Sequence, residues 1–176
     1  MSGDRRKFLW RSLGGATAAW LAANWPQGLA AAEAAQGAGG FAFFSRAQAA
    51  EIDAMSAQIY PTDDLPGARE AHVVGFIDLA LVTFAQDKQT IYTKGFGELS
   101  AATGGRPLGS LPEARQIALL TGIENTPFFR TVRDHTVMGL FAAPQHGGNF
   151  GKLGWKQIGF DDSLNFRAPF GAYDKA

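Results

Sequence analysis

Residues 135–160 read His135-Thr-Val-Met-Gly-Leu-Phe-Ala-Ala-Pro-Gln-His-Gly-Gly-Asn-Phe-Gly-Lys-Leu-Gly-Trp-Lys-Gln-Ile-Gly-Phe160. The stretch starts as the end of a helix and turns into a loop dense in glycine, with Gly147, Gly148, Gly151, Gly154 and Gly159. Glycine at that density suits positive φ angles and close backbone approach. The same loop carries Phe150, Trp155, Ile158 and Phe160, whose side chains favour burial. It is therefore read as ordered and packed, either as a lid on its own helical core or as a docking loop for another protein.

Upstream, apolar residues recur at helical spacing. Thr126-Pro127 starts a helix with Thr126 as N-cap and Pro127 at its first position, and Phe128, Phe129, Val132, Thr136 and Leu140 form its stripe. Ser45 and Gln48 form a capping box before a helix running to about Tyr60, with Ile52, Met55 and Ile59 on one face and Pro61 ending it. A second helix is expected over 68–84, burying Val73, Phe76, Ile77, Ala80 and Phe84. A third is expected over 88–103, capped by Asp87, with Ile91, Tyr92, Phe96 and Leu99 inward. Gly104 follows it, and Gly95 and Gly97 permit close packing. A fourth is expected after a Ser110–Glu113 capping box, through Ile117 and Leu120 to about Gly122. No strand alternation or βαβ pattern is visible. The fold class is all-α, about five helices in one small domain with a long ordered C-terminal loop and tail.

The 176 residues allow one domain, and 46% hydrophobic against 18% charged residues suit a folded body. The chain has no cysteine, so it makes no disulfide, thiolate metal site or cysteine-ligated cluster of its own. The first dozen residues contain Arg5, Arg6, Lys7 and Arg11. Arg5-Arg6-Lys7-Phe8-Leu9 is a twin-arginine pattern, followed by a weakly apolar run over 13–23, helix breakers Pro26 and Gly28, and small residues at 30–32 for a peptidase. The reading divides the chain into a signal peptide over 1–32, a linker over 33–44 and a helical domain over 45–176. Removing the signal takes four bases and one acid, leaving 12 bases against 15 acids, a balance that argues against nucleic acid. The apolar run is too short to span a bilayer. The expected product is a soluble periplasmic protein.

Candidate chemistry is sparse. His135 sits mid-helix without a partner Ser or Cys in any nucleophile motif. Asp63 and Asp64 are adjacent, so their side chains diverge where a metal needs converging ligands. A stand-alone hydrolase or metal enzyme would have to use His135, His146 or the Asp63-Asp64 pair. A free-standing periplasmic binding protein is the other alternative. No catalysis and no cofactor site are expected in this chain alone.

Two motifs resemble one family. The order H-T-x-x-G-x-F-x-x-P-x-x-G-G-N-x-x-x-x-G-W-x-x-I-G over 135–159 is similar to the C-terminal signature of gluconate 2-dehydrogenase subunit 3. The run I-Y-P-T-D-D-L-P-G-A-x-x-A-x-V-V-x-F-I-D over 59–78 resembles its N-terminal one. The resemblance implies a small, chaperone-like subunit of a periplasmic sugar or sugar-acid dehydrogenase. Its partners would be a flavoprotein large subunit holding FAD, a cytochrome c subunit in the same complex, and the twin-arginine translocation machinery. The complex would be attached to the membrane through a partner. The loop and tail aromatics exceed what a domain of roughly 140 residues needs inside. The expected interface is therefore Pro144, Gly147, Gly148, Asn149, Phe150, Gly154, Trp155 and Phe160, with Phe170 and Tyr173 from the tail.

Overall fold

The computed structural model describes residues 40–160 and 162. Arg5, Arg6, Phe8, Leu9, Phe170 and Tyr173 lie outside the described residues. Among the described residues there are six α-helices: α1 (Arg46–Ile59), α2 (Val73–Val82), α3 (Gln89–Thr103), α4 (Glu113–Ile123), α5 (Pro127–Phe141) and α6 (Leu153–Gln157). Short 3-10 turns occupy Gln86–Lys88, Leu108–Ser110, Pro144–His146 and Phe150–Lys152. There is no strand among the described residues, so the all-α reading holds. The sixth helix is one short turn-and-a-half inside the C-terminal loop. Among the described residues no helix is long and apolar enough to cross a membrane.

The local start signals of α1 and α5 work as their sequences predict. Gln48 N–H donates to Ser45 Oγ at 3.2 Å while Ser45 N–H donates to Gln48 Oε1 at 2.9 Å, closing the capping box. Thr126 Oγ1 accepts Phe129 N–H at 3.2 Å, with Pro127 at the first helical position. Two other start signals fail. Ser110 falls inside a 3-10 turn, its hydroxyl donates to Pro107 O, and α4 starts at Glu113 with no side-chain cap. Asp87 also lies in a 3-10 turn and pairs with Lys88 instead of capping α3. The second helix begins later than its periodicity suggests, because His72 takes a left-handed conformation at φ 55° and residues 67–72 form turns.

α5 is the hub and packs against α1, α2 and α3. Its Phe128, Val132, Thr136 and Leu140 are buried, opposite Ile52 and Met55 of α1, Val73, Phe76 and Ile77 of α2, and Tyr92 and Leu99 of α3. Each such apolar side chain contributes roughly 1.5–3 kcal/mol by leaving water. Gly95 earns its place: a Cβ there would fall 2.1 Å from Cγ of Phe128, so only glycine lets α3 and α5 approach. Gly97 faces open space and has no such role. Ile117 stands exposed on α4, and Gln116 turns in instead, donating to Leu111 O and accepting from Gln58.

The polar contacts inside the core cross between helices. Ser56 and Thr136 hydroxyls meet at 3.1 Å, and Glu51 accepts Leu108 N–H at 3.0 Å. Asp78, buried on α2, accepts the N–H groups of Ala42, Phe43 and Phe44 at 2.7, 2.9 and 2.9 Å. That carboxylate straps residues 41–44 onto the core, with Phe44 buried and Phe41 and Phe43 packed against it. The last residues of the expected linker are thus part of the folded body.

Candidate functional site

The chain after α5 is fastened by its own backbone and one asparagine. After a 3-10 turn at Pro144–His146, Gly147 (φ 89°) lies against Gly75, and a Cβ on it would sit 3.2 Å from the Gly75 carbonyl carbon. Gly148 is buried, with Gly139 O only 2.4 Å from where its Cβ would be. Asn149 follows at φ 48° and is fully buried. Its amide nitrogen donates to Ala142 O at 2.9 Å and its carbonyl accepts Gly154 N–H at 2.8 Å. Asn tolerates the left-handed region better than most residues. One side chain therefore joins the end of α5 to the start of α6. Phe150 N–H donates to Ala71 O at 3.1 Å, fixing the loop to the start of α2.

α6 is seated as firmly. A Cβ on Gly154 would come within 1.9 Å of Leu140 O, so the helix lies directly on α5. Trp155 is half-buried, and its Nε1–H donates to Phe141 O at 2.8 Å. Phe160 packs edge-on against Trp155 with ring centroids 5.1 Å apart. Gln157 ties α6 to the turn after α1: its amide nitrogen donates to Pro66 O at 2.6 Å and its carbonyl accepts the Tyr60 hydroxyl at 2.5 Å.

This geometry sorts the residues singled out in the sequence. Gly148, Asn149 and Gly154 are interior framework, and Asn149 bridges this chain's own backbone rather than exposed groups. Pro144, Gly147 and Trp155 are half-buried. Phe150 and Phe160 are the outward ones, at 59% and 53% exposed. Phe150 stacks on exposed His72, with centroids 4.3 Å apart and planes at 17°. The pair borders a groove of about 520 Å³ lined by Phe41, His72, Val74, Pro144, Gly147 and Phe150. Spacing pointed to Phe150 but not to His72 beneath it, because that contact depends on the left-handed turn before α2.

The other candidates do not converge. His135 is buried between α3 and α5, its Nδ1 2.9 Å from the Tyr92 hydroxyl and its ring stacked on Tyr92. Burial pushes its pKa below the ordinary histidine value and raises that of Tyr92 far above the usual phenol range. His146 sits in the loop's 3-10 turn, its pKa likewise lowered by burial. Asp63 accepts Leu65 N–H in the turn after α1. Among the described residues no group of three or more His, Asp or Glu is placed to hold a metal ion. Of the loop glycines, Gly147, Gly148 and Gly154 are closed against Gly75, Gly139 and Leu140, while Gly151 and Gly159 face open space. The arrangement is suited to holding aromatic side chains at a surface.

A family model described as gluconate 2-dehydrogenase subunit 3 matches residues 46–162. The match begins at the first residue of α1 and runs past α6, so it spans all six helices. No curated protein and no solved structure matches the chain.

Proposed function

The chain belongs to the gluconate 2-dehydrogenase subunit 3 family, and from that premise we propose that it is the non-catalytic small subunit of a periplasmic, FAD-dependent sugar or sugar-acid dehydrogenase. In this reading the flavoprotein large subunit holds FAD and oxidises the substrate. A cytochrome c subunit takes the electrons onward. This chain stabilises the large subunit and carries the twin-arginine signal that exports both. Arg5 and Arg6 ahead of Phe8-Leu9 support the export role. That route carries folded cargo, which suits a flavoprotein loaded with its cofactor before export.

The observation that carries the reading is the C-terminal loop. Buried glycines and Asn149 hold it rigidly, yet it presents Phe150, Ile158 and Phe160 to solvent. A rigid backbone displaying aromatic and aliphatic side chains is what a protein interface needs, because little ordering entropy is lost on docking.

The test is co-expression with a flavoprotein dehydrogenase large subunit from the same genome. The two chains should elute together at fixed stoichiometry, with flavin absorbance in the complex and none in this chain purified alone. Stoichiometric flavin on the isolated chain, or independent elution of the two proteins, would overturn the proposal.

A further inference from the structure

The turn after α1 is built to hold a leucine outside. Asp63 N–H donates to Leu65 O at 3.1 Å, and Asp63 Oδ1 accepts Leu65 N–H at 2.9 Å. Glu70 ties the same turn from the other side, accepting the Thr62 hydroxyl at 2.7 Å and Gly67 N–H at 2.8 Å. Gly67 is closed so tightly that a Cβ would fall 2.6 Å from the Pro61 carbonyl carbon. The turn is thus held by hydrogen bonds and by the close packing of Gly67, and the Leu65 side chain is left 52% exposed.

This turn meets the C-terminal loop. Gln157 spans 91 residues of sequence to bond Pro66 O, and 97 to bond Tyr60. Leu65 and Ile158 are each one residue from that bridge. Ile158 is 62% exposed, and Phe160, stacked on Trp155, is 53% exposed. Two distant segments are therefore locked by one amide so that both show large apolar side chains. At the edge stand Asp63 and Asp64, both exposed, and among the described residues neither takes part in an ion pair.

We propose that Leu65, Trp155, Ile158 and Phe160 form one composite docking surface for the large subunit. Its matching face would be an apolar recess bordered by Arg or Lys side chains that meet Asp63 and Asp64. This rests on the small-subunit reading and adds to it the turn after α1 and the charge of the partner's surface. The other exposed aliphatics among the described residues, Ile117 on α4 and Val137 and Met138 on α5, stand on regular helices and belong to no locked loop.

The experiment uses the full chain co-expressed with its flavoprotein. Leu65→Asp and Ile158→Asp should each weaken the complex about tenfold or more. Val137→Asp, equally exposed, should stay within about twofold, as surface changes away from a contact do. The double variant Asp63→Asn/Asp64→Asn keeps the turn's acceptor but removes both charges, so binding should lose much of its salt dependence. Leu65→Ser serves as a milder variant if circular dichroism shows that an aspartate disturbs the fold. Wild-type affinity in Leu65→Asp and Leu65→Ser, or equal damage from Val137→Asp, would overturn the composite surface while leaving the subunit reading intact. Failure of the unmodified chain to bind any flavoprotein would retire both.

Discussion

The side-chain carbonyl of Asn149 accepts the backbone N–H of Gly154 at 2.8 Å, while the same side chain donates to Ala142 O at 2.9 Å. The bond to Gly154 is buried and that to Ala142 O is part-buried, at a residue with no exposed surface of its own. Asn149→Ala would strand two backbone groups, each costing about 1–3 kcal/mol. It would also place a residue that resists positive φ at 48°. The expected outcome is about 2–4 kcal/mol lost in urea unfolding and faster protease cleavage within 142–160. Unchanged stability and cleavage would show that the loop is held by something other than this residue.

Asp78 predicts a second, separate weakness. Its carboxylate is the acceptor for three consecutive N–H groups, Ala42, Phe43 and Phe44. Hydrogen bonds to a charged acceptor contribute more than neutral ones. Asp78→Ala should cost about 3 kcal/mol or more, and Asp78→Asn should recover part of it, since one amide oxygen still accepts. Hydrogen exchange at Phe43 and Phe44 should speed up in the same order. Equal exchange in all three proteins would show that apolar packing alone holds the strap.

What the sequence disclosed and what it hid follow a physical division. Helices announced themselves through local chemistry: the Ser45–Gln48 box, the Thr126-Pro127 start, and the apolar spacing of Val132, Thr136 and Leu140 on α5. Gly95 and Gly97 were both read as close-packing residues because glycine weakens a helix interior, and only Gly95 packs closely. Polar pairing across the fold was not legible. Nothing local to Asp78 says that it will bind backbone some 35 residues earlier, and nothing local to Gln157 points to Pro66. Asn149 was expected at the partner interface. Its burial is set by α5 ending beneath it. The exposed aromatics were legible as a class, but Trp155 half-buried against Phe141 and Phe160 outside it are distinguished by packing alone.

Histidine burial gives the fold a pH dependence of definite sign. Burial lowers the pKa of His135 and of His146 below the ordinary 6.5 in the folded chain. Once the pH drops below about 6.5, the unfolded chain binds protons that the folded chain does not, so stability falls with acidification. The loss grows as pH falls toward the lowered folded values and is absent well above 6.5. Urea midpoints should therefore be lower at about pH 5.5 than at about pH 7.5. His135→Gln, which still offers an acceptor to the Tyr92 hydroxyl, should flatten the difference in part, leaving the His146 share. A midpoint that rises on acidification would contradict the assignment.

Export should depend on the shape of two side chains and not only on their charge. Arg5→Lys with Arg6→Lys keeps both positive charges but removes the planar, multi-donor guanidinium groups. On the proposed reading, the double variant should leave this chain in the cytoplasm together with its flavoprotein partner. Fractionation with antibodies to both proteins measures this, and normal periplasmic levels of either would count against the shared-export reading.

Trp155 distinguishes a lid from an interface. Its indole is half-buried, and its N–H donates to Phe141 O, so some of its contribution is to the free subunit. Losing one bond and part of a packed ring should cost Trp155→Ala about 1–2 kcal/mol of stability. The helical circular dichroism signal should survive, because α1 to α5 form their core without it. The other face of the indole supports Phe160, which is more than half exposed. If that pair meets the large subunit, the same change should weaken the complex by about 2 kcal/mol or more, the scale of an interface tryptophan. Trp155→Phe separates the two contributions, since it keeps an aromatic beneath Phe160 but loses the bond to Phe141. It should retain more of the binding than the alanine variant while sharing the loss of that bond. A folded Trp155→Ala protein that binds at full strength would make the tryptophan a lid residue only, and an unfolded one would place it in the core.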